Sequence, residues 1–416
     1  QMGRLQPYVL TVHIPLDADA GVYEGAVRIA GRGLPLSVEV LDFSLPEVSP
    51  LKVPVGCSST NIARFYGLED LTDEQIRPWL ECLLDHRVHA DRRVGAYHGG
   101  GDWRAMLTLP PDSLIERQLQ TAPLVWLGRI SQNHLRGTWT AERDEAEATV
   151  LERLPREMEY LRDRGWADYA YFYAYDEIRS EEEYAICEEL YPRIKEVAPQ
   201  AKLVQTYGAD VPEERLAEWV DVWCPHITRY ANDPEFIDGV IASGQETWWY
   251  ITRNAAPWPN MATDSPSLTH RILFWETFKF GFQGMLEWES VAFPAADYQA
   301  EPRWPETPWQ ATHVFRNGNA SWNGNGQLLY PGPDLQPIPS LRLEIWRQGI
   351  EDYLYLWLLR ERLEGAEDAD EQVVAAARRA LSVPLVEDVT TYTDDPAALE
   401  AARERIASLI LELSEE

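Results

Sequence analysis

The chain has 416 residues, with 68 acidic against 37 basic side chains and a formal net charge of -31. That excess of acid repels phosphate backbones and anionic lipid surfaces, so nucleic acid and membranes are not expected partners. Hydrophobic residues make up 45% and supply a core, while no apolar run approaches the ~20 residues needed to span a bilayer.

The first 46 residues read as strands. "YVLTVHIPL", "GVYEGAVRIA" and "LPLSVEVLDF" alternate, with Asp/Gly-containing turns between them. They suggest a small antiparallel β-sandwich-like domain over 1–48, and the Pro-rich "SLPEVSPL" (44–51) is a natural linker. From Lys52 short apolar strands alternate with amphipathic helices, the pattern of βα units around a parallel sheet. Strands are predicted at 52–57, 88–96, 123–128, 169–175, 202–207, 221–224, 247–252 and 284–288. Helices are predicted at 72–86, 143–165, 180–198, 212–220, 233–243 and 267–281, several opened by Ser, Thr or Asp with Glu three residues on. The expected fold is α/β: a (β/α)8 TIM barrel over 49–345, about the size such barrels have. It would carry a long loop at 290–339, rich in Pro, Trp, Gly and Asn and functional by its aromatic content. A helix at 340–365 leads into a C-terminal helical region over 346–416. Gln1 reads as a cut point, leaving room for a removed leader or an upstream segment, and no signal-peptide pattern is seen. The compartment stays open between cytoplasmic and secreted.

The greasiest strand, "YAYFYAY", stops at Asp176 and Glu177. Catalytic side chains of a barrel come from the C-terminal ends of its strands. Mid-strand, neighbours point to opposite faces. At the last turn that rule relaxes and both acids can lean over the mouth. The aromatic surround of Tyr171, Phe172, Tyr173 and Tyr175 would raise the pKa of one of them. Two carboxylates with separated pKa values suit glycoside hydrolysis. The competing reading is a salt bridge to Arg179 or a cap on the next helix. Glu287 and Glu289 end the eighth strand, so Glu289 is a rival acid, and His98 and His226 lie near strand ends. The 17 tryptophans add sugar-stacking candidates. These are Trp248, Trp249, Trp258, Trp275, Trp288, Trp304, Trp309 and Trp322, whereas Trp166, Trp219 and Trp357 belong to helical core. Cys57, Cys82, Cys187 and Cys224 are too scattered for a metal or redox motif. No HxH or HExxH spacing appears, so neither metal nor cofactor is expected. "YHGGGD" (97–102) does not match a phosphate loop, no GxSxG elbow exists, and the "NAS" sequon at 319–321 has little weight.

Four stretches together resemble the glycoside hydrolase family 123-like catalytic domain, a family that includes β-N-acetylgalactosaminidases. They are "YAYDEI" (173–178), "WWYITRNAAPWPNMATDSPSLTHRILFWETFKFGFQGMLEWE" (248–289), "NGQLLYPG" (325–332) and "SLRLEIWRQGIEDYLYLWLL" (340–359). "DADAGVYEGAVRI" with "LDFSLP" resembles the family's N-terminal β-domain. The resemblance implies retaining, exo-acting release of β-linked N-acetylgalactosamine through an oxazoline formed by the substrate's own 2-acetamido group. Glu177 would then be the acid and base, and Asp176 would orient the acetamido N–H. Tyr250, Asn260, Trp275 and Trp288 would line the sugar pocket, with Trp248 an alternative to Tyr250. Tyr207 would meet the acetamido oxygen, and His226 and Glu289 complete the substrate-binding candidates. Asn325 stands where the family commonly has Asp, and Arg271, Arg342 and Glu344 are assigned to the scaffold. The implied partner is a β-GalNAc-terminated oligosaccharide or glycoconjugate; a homo-oligomer is left open. Kept beside it are a β-N-acetylglucosaminidase or other β-glycosidase, a non-catalytic carbohydrate-binding barrel, and a scaffold assembling through its aromatic loop.

Overall fold

The protein's structure, a computed structural model, describes residues 8–93, 112–129, 140–207, 213–252, 254, 256–293, 314–317, 320–366 and 369–414. His98, the Gly-rich 97–102, Trp304, Trp309, residue 319 of the sequon and much of the 290–339 loop lie outside the described residues, as does the side chain of Trp322.

Of the strands expected at the N-terminus, two form: β1 (Gly21–Ile29) and β2 (Arg32–Val40), an antiparallel hairpin. Its turn puts Ala30 and Gly31 at φ 49 and 81, the left-handed pair that matches strand twist. Residues 8–16 join no ladder, and the hairpin is largely exposed on both faces. A sandwich needs a second layer to bury alternate side chains. Among the described residues no such layer covers it.

The eight strands expected after Lys52 all form. They are β3 (Pro54–Ser58), β4 (His89–Arg93), β5 (Val125–Arg129), β6 (Ala170–Tyr173), β7 (Lys202–Tyr207), β8 (Val222–Pro225), β9 (Trp248–Ile251) and β10 (Gly284–Glu287). All ladders among them are parallel, in two four-stranded sheets of order β4-β3-β10-β9 and β5-β6-β7-β8. Parallel bridges Trp223↔Thr247 and His226↔Tyr250 tie β8 to β9. Among the described residues no ladder joins β4 to β5. "AYFY", "VWCP" and "WWYI" are apolar throughout because both faces of such strands are covered.

Around the strands lie α1 (Ser59–Tyr66), α2 (Asp73–Asp85), α3 (Asp112–Leu119), α4 (Thr140–Asp163), α5 (Glu181–Val197), α6 (Ile227–Asn232), α7 (Glu235–Ala242) and α8 (Ser267–Lys279). The long α9 (Leu341–Gly365), α10 (Glu371–Leu381) and α11 (Pro396–Glu412) follow. Thr72 and Gln75 form a reciprocal capping box on α2. Where a helix is predicted over 212–220, the described residues form a 3-10 turn, Glu213–Leu216. The helices α1, α3 and α6 were not foreseen.

The C-terminal helices dock on a buried acid. Asp352 of α9 accepts from Arg271 Nε at 2.6 Å and from Trp275 Nε1 at 2.8 Å, and pairs with Arg403 of α11 at 3.2 Å. Gly349 lets α9 lie against α8, since a Cβ there would sit 2.4 Å from the Phe274 ring. Arg271 is thus a scaffold residue, as are Arg342, which donates to the carbonyls of Met261 and Gly324 at 2.7 Å each, and Glu344, which pairs with His86 and Arg347.

Alternation divides the sheet side chains into two cores. Trp126, Tyr171, Tyr173, Val204, Val222, Cys224, Trp248, Tyr250 and Leu286 pack with one another on the inner face. Phe172, Leu203, Trp223, Trp249 and Met285 pack outward under the helices. At the N-terminal end of the inner face, Glu246 pairs with Lys52 and Lys202 at 2.9 Å each and accepts the Tyr171 hydroxyl and the Trp248 indole N–H. Trp248 lies over this cluster, and a Cβ on Gly284 would come within 2.3 Å of its ring. Gly284→Ala should therefore cost about 1–3 kcal/mol through overpacking, read as a lowered denaturation midpoint with an unchanged m-value.

Candidate active site

The two neighbouring acids sit just beyond the C-terminal end of β6, and each is half-buried. Two extended neighbours would face opposite sides. Glu177 escapes that rule because its φ is +50, a left-handed conformation. Such a turn costs a non-glycine residue about 1–3 kcal/mol and persists only where the surroundings hold it. Here Thr206, inward on β7, holds it. The Thr206 hydroxyl accepts the Glu177 backbone N–H at 3.0 Å and donates to Asp176 Oδ1 at 3.2 Å. Tyr173, one pleat below the acids, donates to the same Asp176 oxygen and meets Thr206 Oγ1 at 2.5 Å.

The Glu177 carboxylate is gripped on both oxygens. Tyr250 of β9 donates its hydroxyl to Oε1 at 2.5 Å, and the Arg179 guanidinium pairs with Oε2. Burial pushes the Glu177 carboxyl up, but the Tyr250 hydrogen bond, the Arg179 guanidinium and the nearby His226 ring outweigh it and hold the group below its ordinary value. The raised carboxyl expected from the aromatic strand is therefore not found at Glu177. Phe172 and Tyr175 pack outward and Tyr171 lies at the opposite end on Glu246, so these three rings of the strand do not enclose the pair. Burial and the adjacent Glu177 carboxylate push the Tyr250 phenol well up, so it remains a donor.

His226 buttresses Tyr250, ring centroids 4.9 Å apart and edge to face. Its Nδ1 lies 2.6 Å from the Thr228 hydroxyl and 3.3 Å from the Thr228 backbone nitrogen, and its Nε2 3.3 Å from the Thr252 carbonyl, so both ring nitrogens are held. Trp288 remains half-buried at the end of β10, its indole N–H on Asn325 Oδ1 at 3.1 Å. The amide oxygen of Asn325 thus serves as the acceptor that a carboxylate would offer there. Gly326 is pressed so near that a Cβ would sit 2.2 Å from the Trp288 ring.

Other expected pocket residues lie elsewhere. Tyr207 follows Thr206, so the pleat turns it outward, edge-on to Trp223 at 6.0 Å. Trp275 belongs to α8 and is buried against Asp352. Trp248 is inward but one pleat below Tyr250, on the Glu246 cluster. Asn260 spends its amide within its own turn, donating to the Trp258 carbonyl and accepting from the Ala262 N–H, each at 2.8 Å. Glu289 is fully buried, with Oε1 accepting the backbone N–H groups of Ser58, Ser290 and Val291, which staples β3 to the chain after β10. Thr206 and Tyr173 were not singled out as site residues, although counting by twos from Val204 selects Thr206 over Tyr207. No cluster of three or more potential metal ligands occurs among the described residues.

Residues 129–359 match the model of the glycoside hydrolase 123 catalytic domain. No curated protein matches the sequence. Among solved structures, the chain is similar to a family 123 glycoside hydrolase from Clostridium perfringens described for glycolipid glycan hydrolysis. The TM-score is 0.62 at 14% identity, over 96% of this chain and 77% of that one. It is more distantly similar to a β-galacturonidase from Eisenbergiella tayi bound to galacturonate, with TM-score 0.40 at 13% identity over 76% of this chain and 55% of that one.

Replacing Thr206 by the near-isosteric Val removes an acceptor from the Glu177 N–H and a donor from Asp176. We expect a loss of about 1–3 kcal/mol, measured by chemical denaturation, with the far-ultraviolet spectrum unchanged.

Proposed function

The chain belongs to glycoside hydrolase family 123, and from that membership we propose that it is a retaining exo-glycosidase releasing terminal β-linked N-acetylgalactosamine. The observation that supports this reading is that inner-face groups hold both acids: Thr206 Oγ1 bonds Asp176 and the Glu177 backbone N–H, and the Tyr250 hydroxyl bonds the Glu177 carboxylate. In the proposed reaction Glu177 gives a proton to the leaving oxygen while the 2-acetamido oxygen bonds to the anomeric carbon. Asp176, its Oδ1 held by Tyr173 and Thr206, accepts the acetamido N–H and stabilises the positive charge of the forming oxazoline. Water then attacks the anomeric carbon and returns its proton to Glu177. Substrate-assisted families need no second carboxylate across the sugar ring, which suits two acids adjacent in sequence. Trp288 is the candidate stacking platform and Tyr250 a wall. We also propose that the eight parallel strands form a (β/α)8 barrel over 49–345, after an N-terminal β-unit at 1–48 and before a helical region at 346–416.

A panel of p-nitrophenyl β-glycosides tests the reaction. The GalNAc compound should turn over, and Glu177→Gln should lower its rate by about 10²–10⁴-fold, the usual worth of an acid–base group. Asp176→Asn should be nearly as damaging. Equal turnover of the plain galactoside would remove the acetamido role. Preference for the GlcNAc compound would move the specificity, and sugar binding without turnover would favour a lectin-like protein.

A further inference from the structure

We propose that Arg179 is a positioning residue that occupies the proton-bearing side of Glu177 in the resting site and swings out before the leaving oxygen is protonated. The inference rests on the glycosidase reading and adds a step to it. Its basis is the double grip on Glu177. An arginine offers donors only, so Oε2 carries no proton while it faces the guanidinium. The other oxygen, Oε1, already receives the Tyr250 hydroxyl. A leaving oxygen therefore meets a carboxylate with both oxygens acting as acceptors, and one of those contacts has to open. Tyr250 is buried and backed by His226. Arg179 is the movable partner: its side chain is 51% exposed. Its backbone is fixed instead, the N–H bonded to Glu183 Oε2 at 2.5 Å, so the side chain pivots about an anchored position.

Among the described residues, the charged and titratable groups facing Glu177 are Asp176 and Arg179 from its own turn, Tyr250 from β9 and His226 from the end of β8. Tyr173 bonds Asp176, and the Cys224 thiol lies near that same acid. Withdrawal of Arg179 removes a positive charge in direct contact with the carboxylate, while burial goes on favouring the protonated acid. Protons balance over the cycle. Glu177 takes one from solvent as the guanidinium leaves and passes it to the departing oxygen. It then recovers one from the attacking water and sheds that proton to solvent when Arg179 returns.

The test uses Arg179→Gln and Arg179→Lys. For the general acid, kcat/KM falls as pH rises through the free enzyme's Glu177 pKa. Removing the guanidinium raises that pKa, so the alkaline limb of kcat/KM should move up. A shift of about one unit makes kcat/KM at neutral pH, relative to acidic pH, about tenfold higher than in the wild type. The kcat profile should hardly move, since Arg179 is already displaced in the bound state, and Arg179→Lys should restore the wild-type limb. With a 2,4-dinitrophenyl leaving group, which departs without a proton, the shift should vanish. A uniform loss of activity in Arg179→Gln with unshifted limbs overturns the proposal. A second readout needs no turnover: the 13C-labelled Glu177 carboxyl, assigned by its absence in Glu177→Gln, should titrate at higher pH in Arg179→Gln than in the wild type. Unchanged titration overturns the proposal even if the enzyme proves active. Silence of the wild type towards every glycoside, with the titration shifted, removes the catalytic reading and retains the ion pair.

Discussion

The pleat of a β-strand turns neighbouring side chains to opposite faces, yet Asp176 and Glu177 both bond groups carried on the inner face of the sheet. Everything around β6 serves that contradiction. Glu177 adopts a left-handed backbone, and the Thr206 hydroxyl holds the turn while also fixing Asp176. The backbone strain is offset by ordinary hydrogen bonds made to groups that β6, β7 and β9 deliver in register. Parallel order is what permits this, since all these strands end at the same side of the sheet.

The eight strands were legible because parallel strands covered on both faces are plain apolar runs bounded by turn residues. Their observed limits differ from the expected ones by a few residues. The N-terminal sandwich was less legible. Alternation at 8–16 looks like a strand, but a strand exists only where a neighbour accepts its hydrogen bonds, and sequence pattern does not reveal the neighbour.

The acid pair, Arg179 and Tyr250 were legible in the sequence, whereas the Thr206 hydroxyl that ties the two acids together was not. The bond between Tyr250 and Glu177 joins positions 73 residues apart, beyond the reach of local spacing. Tyr207 stands after the fifth strand as the expected partner of the acetamido oxygen, yet the two-residue period turns it to the helices. Trp275 misled for a different reason. Its helix α8 is buried on nearly every side, so no polar face marks which side chains look towards the strands. The Arg179 ion pair and a site at the strand end had been rival readings of one acid. In the structure they coexist, because Glu177 bonds Arg179 while keeping its place beside Tyr250.

The Glu246 cluster with Lys52 and Lys202 closes the far end of the inner face, and Trp248 separates it from the acids. The Glu246 ion pairs and the Asp176–Glu177 pair are thereby kept apart by an aromatic partition. With the acid pair as the proposed reacting centre, substitutions beside it can alter which glycan is accepted without disturbing the ion pairs beneath. A lineage of such proteins can thus diversify its chemistry at one end of the strands while its architecture is inherited through the other.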